Sequence, residues 1–247
     1  MTDVDQFTHP GIVAAYDLMN GYDPGTQPDF YRNLARDIGQ RVRIIDLGCG
    51  TGLVSAVLAD DGHEVFGVEP SSAMLEAARS KDTEDRVTWA LGGHESIESW
   101  NADLAIMSGH VAQFFVDDEE WVLALASLRR GLRDGGVLSF ESRNPDAREW
   151  ARWGRHRQRV EVPGYGLLEQ WTEVRDMSNG VLSYEMHYRF VDAGEELVAS
   201  DRLRFRTLDE LTESLVGAGF TVDEVYGDWD RGPVASDRPE LVVVART

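Results

Sequence analysis

Short apolar runs alternate with helical segments over residues 42–140, and this rhythm constrains the fold more than any other feature of the chain. The runs are short and rich in Val, Ile and Leu, which is typical of strands buried on both faces. They predict strands at 42–47, 64–69, 87–91, 102–107 and 137–140. Strands separated by helices of this length predict βαβ units and therefore a doubly wound, mainly parallel α/β sheet.

The alternation of strands and helices ends at Asn144-Pro145. Beyond this point the pattern predicts an inserted antiparallel sheet. A helix is predicted over residues 146–157. Three β-like stretches follow, at 167–176, 181–191 and 197–206. Asn179-Gly180 and Ala193-Gly194 lie between these stretches, where such pairs favour hairpin turns. Apolar and polar side chains alternate in the second stretch, which indicates one buried face and one exposed face.

The last part of the chain returns to the first pattern, with a helix at 207–218 and strands at 220–226 and 241–245 that complete a seven-stranded sheet. Two amphipathic helices are predicted within residues 10–40, separated by a turn at Asp23-Pro24-Gly25. We therefore expect three parts. They are an N-terminal helical lid (1–41), an α/β core (42–145 and 207–247) and an inserted helix with an antiparallel sheet that serves as a lid or dimerisation surface (146–206).

The charge balance limits the partners of the chain. It has 24 basic and 44 acidic residues, a formal net charge of −20. Such a surface repels phosphate backbones and anionic lipids, so we expect neither a nucleic acid nor a membrane as partner. Cys49 is the sole cysteine, which excludes an intrachain disulfide and a multi-cysteine metal site, and no metal is expected. The absence of a signal segment and of a long apolar run predicts a cytoplasmic protein.

A glycine-rich loop, Gly48-Cys49-Gly50-Thr51-Gly52, joins the first predicted strand to the first helix. Glycines at this place let the backbone approach a ligand closely. A dinucleotide fingerprint would place its third glycine at position 53, which is Leu53 here. Glu69 ends the second strand and is placed to accept hydrogen bonds from both hydroxyls of a ribose. The loop therefore suits a nucleoside that lacks a pyrophosphate.

Five segments resemble the motifs of class I S-adenosylmethionine-dependent methyltransferases, and the resemblance covers roughly residues 42–143 and the closing strands. The segments are Asp46 to Gly52, Val68 to Leu75, Leu91 to Ile97, Asp103 to His110 and Leu132 to Leu138. This similarity implies a Rossmann-like methyltransferase fold and S-adenosylmethionine as the cofactor.

The resemblance also implies which residues bind the cofactor. In similar enzymes the glycine loop lies against the methionyl part, an acid at the position of Glu69 binds the ribose, and the segment at Met74 packs near the adenine. Gly93 replaces the usual aspartate, which leaves backbone groups of Gly93 and His94 to contact the adenine. Aromatic residues of the N-terminal segment, Tyr16 and Tyr22, either cover the cofactor or only pack the helix. The complete expected set is Tyr16, Asp46, Gly48, Cys49, Gly50, Glu69, Pro70, Met74, Gly93, His94 and Ser108.

Two residues are candidates for the substrate side. A sulfonium methyl group is already activated, so the main task of the protein is to orient the nucleophile, with a base needed only for a protonated one. His110 follows the fourth strand at the carboxyl edge of the sheet and either acts on the substrate or is structural. Arg143 ends the fifth strand and begins an arginine-rich segment with Trp150 and Trp153. That segment either captures an anionic or aromatic substrate or is a solvated helix face.

We therefore expect an S-adenosylmethionine-dependent methyltransferase that acts on a nitrogen or oxygen nucleophile of a small molecule. The alternatives are a non-catalytic S-adenosylmethionine-binding or regulatory protein and a nicotinamide-dependent oxidoreductase, which Leu53 disfavours. A homodimer is possible in either case, because the inserted sheet needs a partner for its apolar face.

Overall fold

The fold is given by a computed structural model that describes residues 2–21, 25–155 and 157–247. Tyr22 and the Asp23-Pro24 part of the predicted turn lie outside these residues. The helices of the described part are α1 (Pro10–Met19), α2 (Gln27–Ile38), α3 (Leu53–Asp60), α4 (Ser72–Lys81), α5 (Asp118–Gly131) and α6 (Leu208–Gly217). Its strands are β1 (Thr2–Asp3), β2 (Arg43–Leu47), β3 (Glu64–Glu69), β4 (Val87–Leu91), β5 (Ala102–Met107), β6 (Leu132–Arg143), β7 (Gln158–Val162), β8 (Gly166–Ser178), β9 (Val181–Phe190), β10 (Glu195–Arg204), β11 (Thr221–Tyr226) and β12 (Glu240–Arg246).

The central sheet has, within the described residues, seven strands in the order β11-β12-β6-β5-β2-β3-β4. β2 to β6 run parallel, and β12 is antiparallel to both β6 and β11. Both faces are covered, as the neighbours Ile44 and Ile45 show: they are fully buried in the separate cores on opposite faces of the sheet. The prediction of a doubly wound, mainly parallel seven-stranded sheet is confirmed.

Parallel strands bring their carboxyl ends to one edge, and this edge carries the candidate site. The glycine loop follows β2, Glu69 ends β3, His110 follows β5 and Arg143 ends β6. Because β12 runs the other way, its first residue, Glu240, pairs with Arg143 at the same edge.

Within residues 2–21, 25–155 and 157–247, no helix has both the length and the apolar character required to cross a bilayer.

A second sheet, called the inserted sheet here, has the order β1-β10-β9-β8-β7 in the described chain. Strands β7 to β10 pair antiparallel, and β1 adds in parallel to β10. Asn179 and Gly180 have φ angles of 51° and 72°, as the tight hairpin turn between β8 and β9 requires. The sequence predicted three strands of this sheet and missed β1 and β7, because neither is long enough to show a clear alternation.

The prediction of a helix over residues 146–157 is wrong. Two short 3-10 turns, Pro145–Ala147 and Glu149–Arg152, occupy this segment, and Arg148 between them has a φ of 50°. A left-handed residue at this point stops an α-helix. The tryptophans hold the segment on the inserted sheet instead: Trp150 packs edge-on against Phe205 and Trp153 against Tyr184. The arginines of the segment therefore do not share one helix face.

The predicted N-terminal unit, residues 1–41, is divided between the two sheets. Ile12 and Ala15 of α1 pack in one core cluster with Leu168 and Tyr188 of the inserted sheet. Tyr31 of α2 instead packs on the central sheet. Helix α1 therefore packs on the inserted sheet, and helix α2 packs on the central sheet.

Candidate active site

One cavity of about 670 Å³ lies between the glycine loop and the inserted sheet. Its wall includes Gly48, Cys49 and Gly50 on the side of the central sheet and Tyr184 and Met186 of β9 on the other side. Clefts of this size are typical of sites for small ligands. The geometry thus places the inserted sheet over the carboxyl edge of the parallel strands.

The glycine loop has a backbone that other residues rarely adopt. Gly48, Gly50 and Gly52 have φ angles of 74°, 57° and 78°. A Cβ atom at Gly48 would lie 2.5 Å from a methyl group of Val111. A side chain at this position would therefore clash with Val111. Cys49 is buried, and burial raises the pKa of its thiol, which keeps the group protonated and unreactive.

Glu69 links the loop to the end of β3. One of its carboxylate oxygens accepts the N–H of Gly50 and the other accepts the N–H of Ser71, each at 2.9 Å. Burial raises the pKa of Glu69 against the effect of these two hydrogen bonds. Each carboxylate oxygen has a second lone pair, so two further donors, such as a pair of vicinal hydroxyls, can bind without displacing the backbone.

Asp46 is a fully buried carboxylate at the end of β2. Its Oδ2 accepts the hydroxyl of Ser55 at 2.6 Å, whereas its Oδ1 has no hydrogen-bond partner among the described residues. Burial raises the pKa of Asp46 to about 7, and the negative charges of Glu141 and Glu69 act in the same direction. A cation bound nearby would relieve this excess of negative charge.

Helix α1 borders the cavity together with the glycine loop. Tyr16 lines the cavity, and burial followed by the charge of Glu69 raises its pKa. Asp17 accepts the hydroxyl of Thr51 in the glycine loop and pairs with Lys81 of α4. Ser108, after β5, is buried and also lines the cavity. Tyr16 and Ser108 therefore lie where the sequence analysis expects contacts with a cofactor.

Pro70, Met74, Gly93 and His94, which are also expected to contact the cofactor, are not part of the cavity wall. Met74 is buried, and its Cε lies 3.6 Å from a Cβ built at Gly50. Pro70 is exposed next to Glu69. The ring of His94 is held by Ser127 of α5 at 3.1 Å. The N–H of Gly93 donates to Glu95 at 2.9 Å, so this backbone group already has a partner.

His110 is held by two carboxylates. The backbone N–H of His110 donates to Glu141 Oε1 at 2.9 Å. This hydrogen bond stabilises the left-handed backbone of His110, which has a φ of 62°. Its Nε2 lies 3.0 and 3.1 Å from the two oxygens of Glu240. Tyr31 and Gln27 of α2 donate to the same buried Glu141, whose pKa is raised mainly by burial. Because Nε2 faces Glu240, a neutral His110 carries its proton there and leaves Nδ1 as a free acceptor.

Arg143 lies in the wall of the same cavity. It donates to the side-chain oxygen of Gln113 at 2.9 Å, and its guanidinium lies 5.1 Å from the ring centre of Trp153. No carboxylate of the described residues forms an ion pair with it, although Glu240 attracts the cation at longer range. Burial lowers the pKa of Arg143. A partly buried cation without an ion pair is suited to bind an anionic ligand group.

Sequence reasoning missed several residues that shape the site. Glu240 and Glu141 hold His110, Gln113 holds Arg143, and Tyr184 faces them from the inserted sheet. The only available signal was an acidic residue inside a run of buried positions, as at Glu141 in Leu138 to Ser142. Such residues are rare in a core unless they are paired or functional.

Comparisons with known proteins agree with this geometry. Residues 44–136 match a family model described as a methyltransferase domain. Cypemycin N-terminal methyltransferase from Streptomyces is 26% identical to the chain, and the match covers 94% of both proteins. The CcbJ methyltransferase from Streptomyces caelestis superposes with a TM-score of 0.78 at 22% identity, over 99% of both chains. The amino pentose methyltransferase CalS10 from Micromonospora echinaspora, solved with bound S-adenosylmethionine, gives 0.71 at 22% identity, over 94% of this chain and 95% of that one.

The residues at the carboxyl edge fit the cofactor that these enzymes use. S-adenosylmethionine offers two ribose hydroxyls, for which Glu69 has free lone pairs, and positive charge, which suits the unpartnered oxygen of Asp46. Gly48 and Gly50 border the cavity with backbone atoms alone. The motifs, the fold and the match of residues 44–136 to a methyltransferase domain together support an S-adenosylmethionine-dependent methyltransferase of class I.

Proposed function

We propose that this enzyme methylates an amine nitrogen of a small molecule that also carries an anionic group. The observation that carries the proposal is the cavity in which the glycine loop, His110 and Arg143 meet. The loop marks the methyl-donor side, and the other two residues supply the two functions that such a substrate needs.

His110 is proposed as the base. An alkylamine is largely protonated at neutral pH and attacks only after it loses a proton. Glu240 binds Nε2 of His110 at 3.0 Å and thereby leaves Nδ1 to accept that proton. Glu240 is a positioning residue in this scheme, because it acts through the imidazole. The bound cofactor supplies the activated methyl group, and the protein supplies orientation and proton transfer.

Arg143 is proposed to bind the anionic group. Gln113 fixes one side of the guanidinium and Trp153 lies against it, so its remaining donors can meet a carboxylate or phosphate in two-pronged geometry. The apolar parts of the substrate would pack on Tyr184, Met186 and Trp153. The names of two relatives, for an N-terminus and for an amino pentose, support an amine as the acceptor.

We assign the expected cofactor residues, apart from Asp46, to three parts of the cofactor. Tyr16, Gly48, Cys49, Gly50 and Ser108 border the cavity, and we assign them to the methionyl end. Glu69 and Pro70 are assigned to the ribose, and Met74, Gly93 and His94 to the adenine. Asp46 acts by its charge from beneath the loop. The inserted sheet and α1 are proposed as the cover of this site.

The test is turnover of matched compounds by the purified protein with S-adenosylmethionine, read as S-adenosylhomocysteine formed and as the mass gain of one methyl group. Three compounds share one ring scaffold: an amine with a carboxylate, the same amine without it, and a hydroxyl in place of the amine. We expect the first to react fastest. Faster methylation of the hydroxyl compound overturns the nitrogen assignment. Cofactor binding without turnover of any compound favours a non-catalytic binding protein.

A further inference from the structure

A second cluster of chemical groups lies on the outer face of the inserted sheet, away from the cavity. Glu173 on β8 pairs directly with Glu185 on β9, and His187 follows two residues later on the same face. One candidate ligand atom from each residue lies within 4.8 Å of the others. Two carboxylates directly opposite each other in a sheet repel, so this arrangement requires a cation.

His187 provides an independent indication of a ligand. Its side chain is 5% exposed, and neither ring nitrogen has a hydrogen-bond partner among the described residues. Nε2 points between the two carboxylates, 3.6 Å from Glu173 Oε1 and 3.5 Å from Glu185 Oε2. These distances are too long for hydrogen bonds. The ring is held in place by Trp171, which stacks on it at 4.9 Å with an interplanar angle of 5°.

The spacing fits a tetrahedral metal ion. Zinc binds histidine nitrogen and carboxylate oxygen at about 2.1 Å, which places neighbouring ligand atoms of a tetrahedron about 3.4 Å apart. The 3.5 and 3.6 Å separations are close to this value. We propose that Glu173, Glu185 and His187 form a zinc site, with water in the remaining position.

Arg175 pairs with both carboxylates and would compete with the metal, and Trp171 Nε1 also donates to Glu173 Oε1 at 3.3 Å, which leaves a second lone pair on that oxygen. The Nη2 of Arg175 lies 3.0 Å from Glu173 Oε2 and also pairs with Glu185. Its side chain is 49% exposed, so it can turn into water. Two carboxylates, a neutral His187 and Zn²⁺ then sum to zero charge. Arg157 is another nearby cation, and it lies against Trp171 at 4.1 Å from the ring centre.

A metal bound to Glu173, Glu185 and His187 would affect one wall of the cavity. Met186 and Tyr188 flank His187 in β9, and both line the substrate cavity on the opposite face. A metal that joins β8 to β9 would stiffen this wall of the cavity without touching the cofactor. Zinc binding at this cluster therefore does not depend on the methylation chemistry.

The experiment measures zinc binding to the full chain after removal of metals with a chelator. Calorimetry with zinc chloride should give one site per chain, and zinc should raise the melting temperature. Glu173→Gln combined with Glu185→Gln should weaken binding at least tenfold. Glu195→Gln, an exposed carboxylate elsewhere in the same sheet, should leave binding unchanged. Arg175→Ala should strengthen binding, because it removes the competing cation.

Three results overturn the proposal. They are no zinc binding by the wild type, equal binding by the Glu173/Glu185 double variant and the Glu195→Gln control, and absence of binding in Arg175→Ala. The last result would assign the cluster to an ion-pair network alone. Circular dichroism of each metal-free variant confirms that it is folded before the comparison is made.

Discussion

Glu240 Oε2 lies 3.0 Å from His110 Nε2, although 130 positions separate the two residues in the chain. The antiparallel direction of β12 makes this contact, because it brings the start of the last strand to the edge where the parallel strands end. In the proposed reaction this pair combines a proton acceptor, His110, with the group that fixes its orientation, Glu240.

The first prediction concerns this pair. His110→Gln should lower kcat about hundredfold or more, since a positioned base typically contributes 10² to 10⁴. Glu240→Gln should lower kcat less and Glu240→Ala more, because only Gln keeps an acceptor for Nε2. Binding and stability distinguish catalysis from structure: His110→Gln should keep the affinity for S-adenosylhomocysteine and the melting temperature of the wild type while kcat falls. An unchanged kcat in His110→Gln contradicts the role of base.

The second prediction concerns substrate charge. Arg143→Ala should raise the KM of an anionic substrate roughly tenfold or more, because a charge-assisted bond is lost, and should leave the affinity for the cofactor unchanged. Arg143→Lys should recover part of the loss. Arg148→Ala removes a charge from the same segment at an exposed position outside the cavity wall and serves as the control. Equal KM values in the two alanine variants would show that Arg143 does not bind substrate.

The third prediction tests the ribose assignment. Glu69→Ala should weaken S-adenosylhomocysteine binding by roughly tenfold or more, since hydrogen bonds to a charged acceptor contribute about 1.5–3 kcal/mol each. The variant also removes acceptors from the N–H groups of Gly50 and Ser71. Thermal unfolding without cofactor measures how much stability the loss of these two acceptors costs. Glu64→Ala at the opposite end of β3 is the matched control, and calorimetry with unchanged affinity in Glu69→Ala refutes the assignment.

The fourth prediction follows from the buried carboxylate of Asp46, whose pKa is raised to about 7. Between pH 4 and 7 the folded protein keeps a proton that the unfolded chain has lost, so this group destabilises the fold increasingly as the pH rises, and fully above pH 7. Asp46→Asn should therefore raise the free energy of unfolding by a few kcal/mol at pH 8, because each tenfold change in proton affinity on folding corresponds to roughly 1.4 kcal/mol. The gain should disappear near pH 4.

Urea unfolding at pH 8 and pH 4, with cofactor titrations beside it, provides the measurement for Asp46. The same variant should bind S-adenosylmethionine more weakly, because it removes the negative charge beneath the loop. A variant that is less stable than the wild type at pH 8 contradicts the expected cost of this carboxylate.

The fifth prediction separates backbone strain from crowding in the glycine loop. Gly48→Ala adds a Cβ that meets Val111 at 2.5 Å in a left-handed backbone. Gly62→Ala has the same backbone strain, with a φ of 91°, but nothing within 4 Å. Strain alone costs about 1–2 kcal/mol, so Gly48→Ala should destabilise the protein by clearly more than Gly62→Ala. Chemical denaturation checks this, and adding Val111→Ala should recover the difference.

The central sheet could be predicted because its evidence is local. Five buried runs, the Gly48 to Gly52 loop and Glu69 each follow from a few consecutive residues, and the period of burial distinguishes strand from helix. The helix predicted over 146–157 failed for the opposite reason. Its apolar residues Trp150 and Trp153 pack against Phe205, just after β10, and Tyr184 of β9, which are distant in sequence, and contact with them decides the conformation.

The sequence by itself therefore determined the α/β class, the glycine-rich loop and the acid that ends β3, because glycines and buried strands express short-range steric and hydrophobic requirements. Only the tertiary structure decided that Glu240 holds His110, that Arg143 lacks an ion pair among the described residues, and that His187 lies between Glu173 and Glu185. These relationships join residues of different strands. Strand order and register set them, and no local pattern of side chains records which strands will be neighbours.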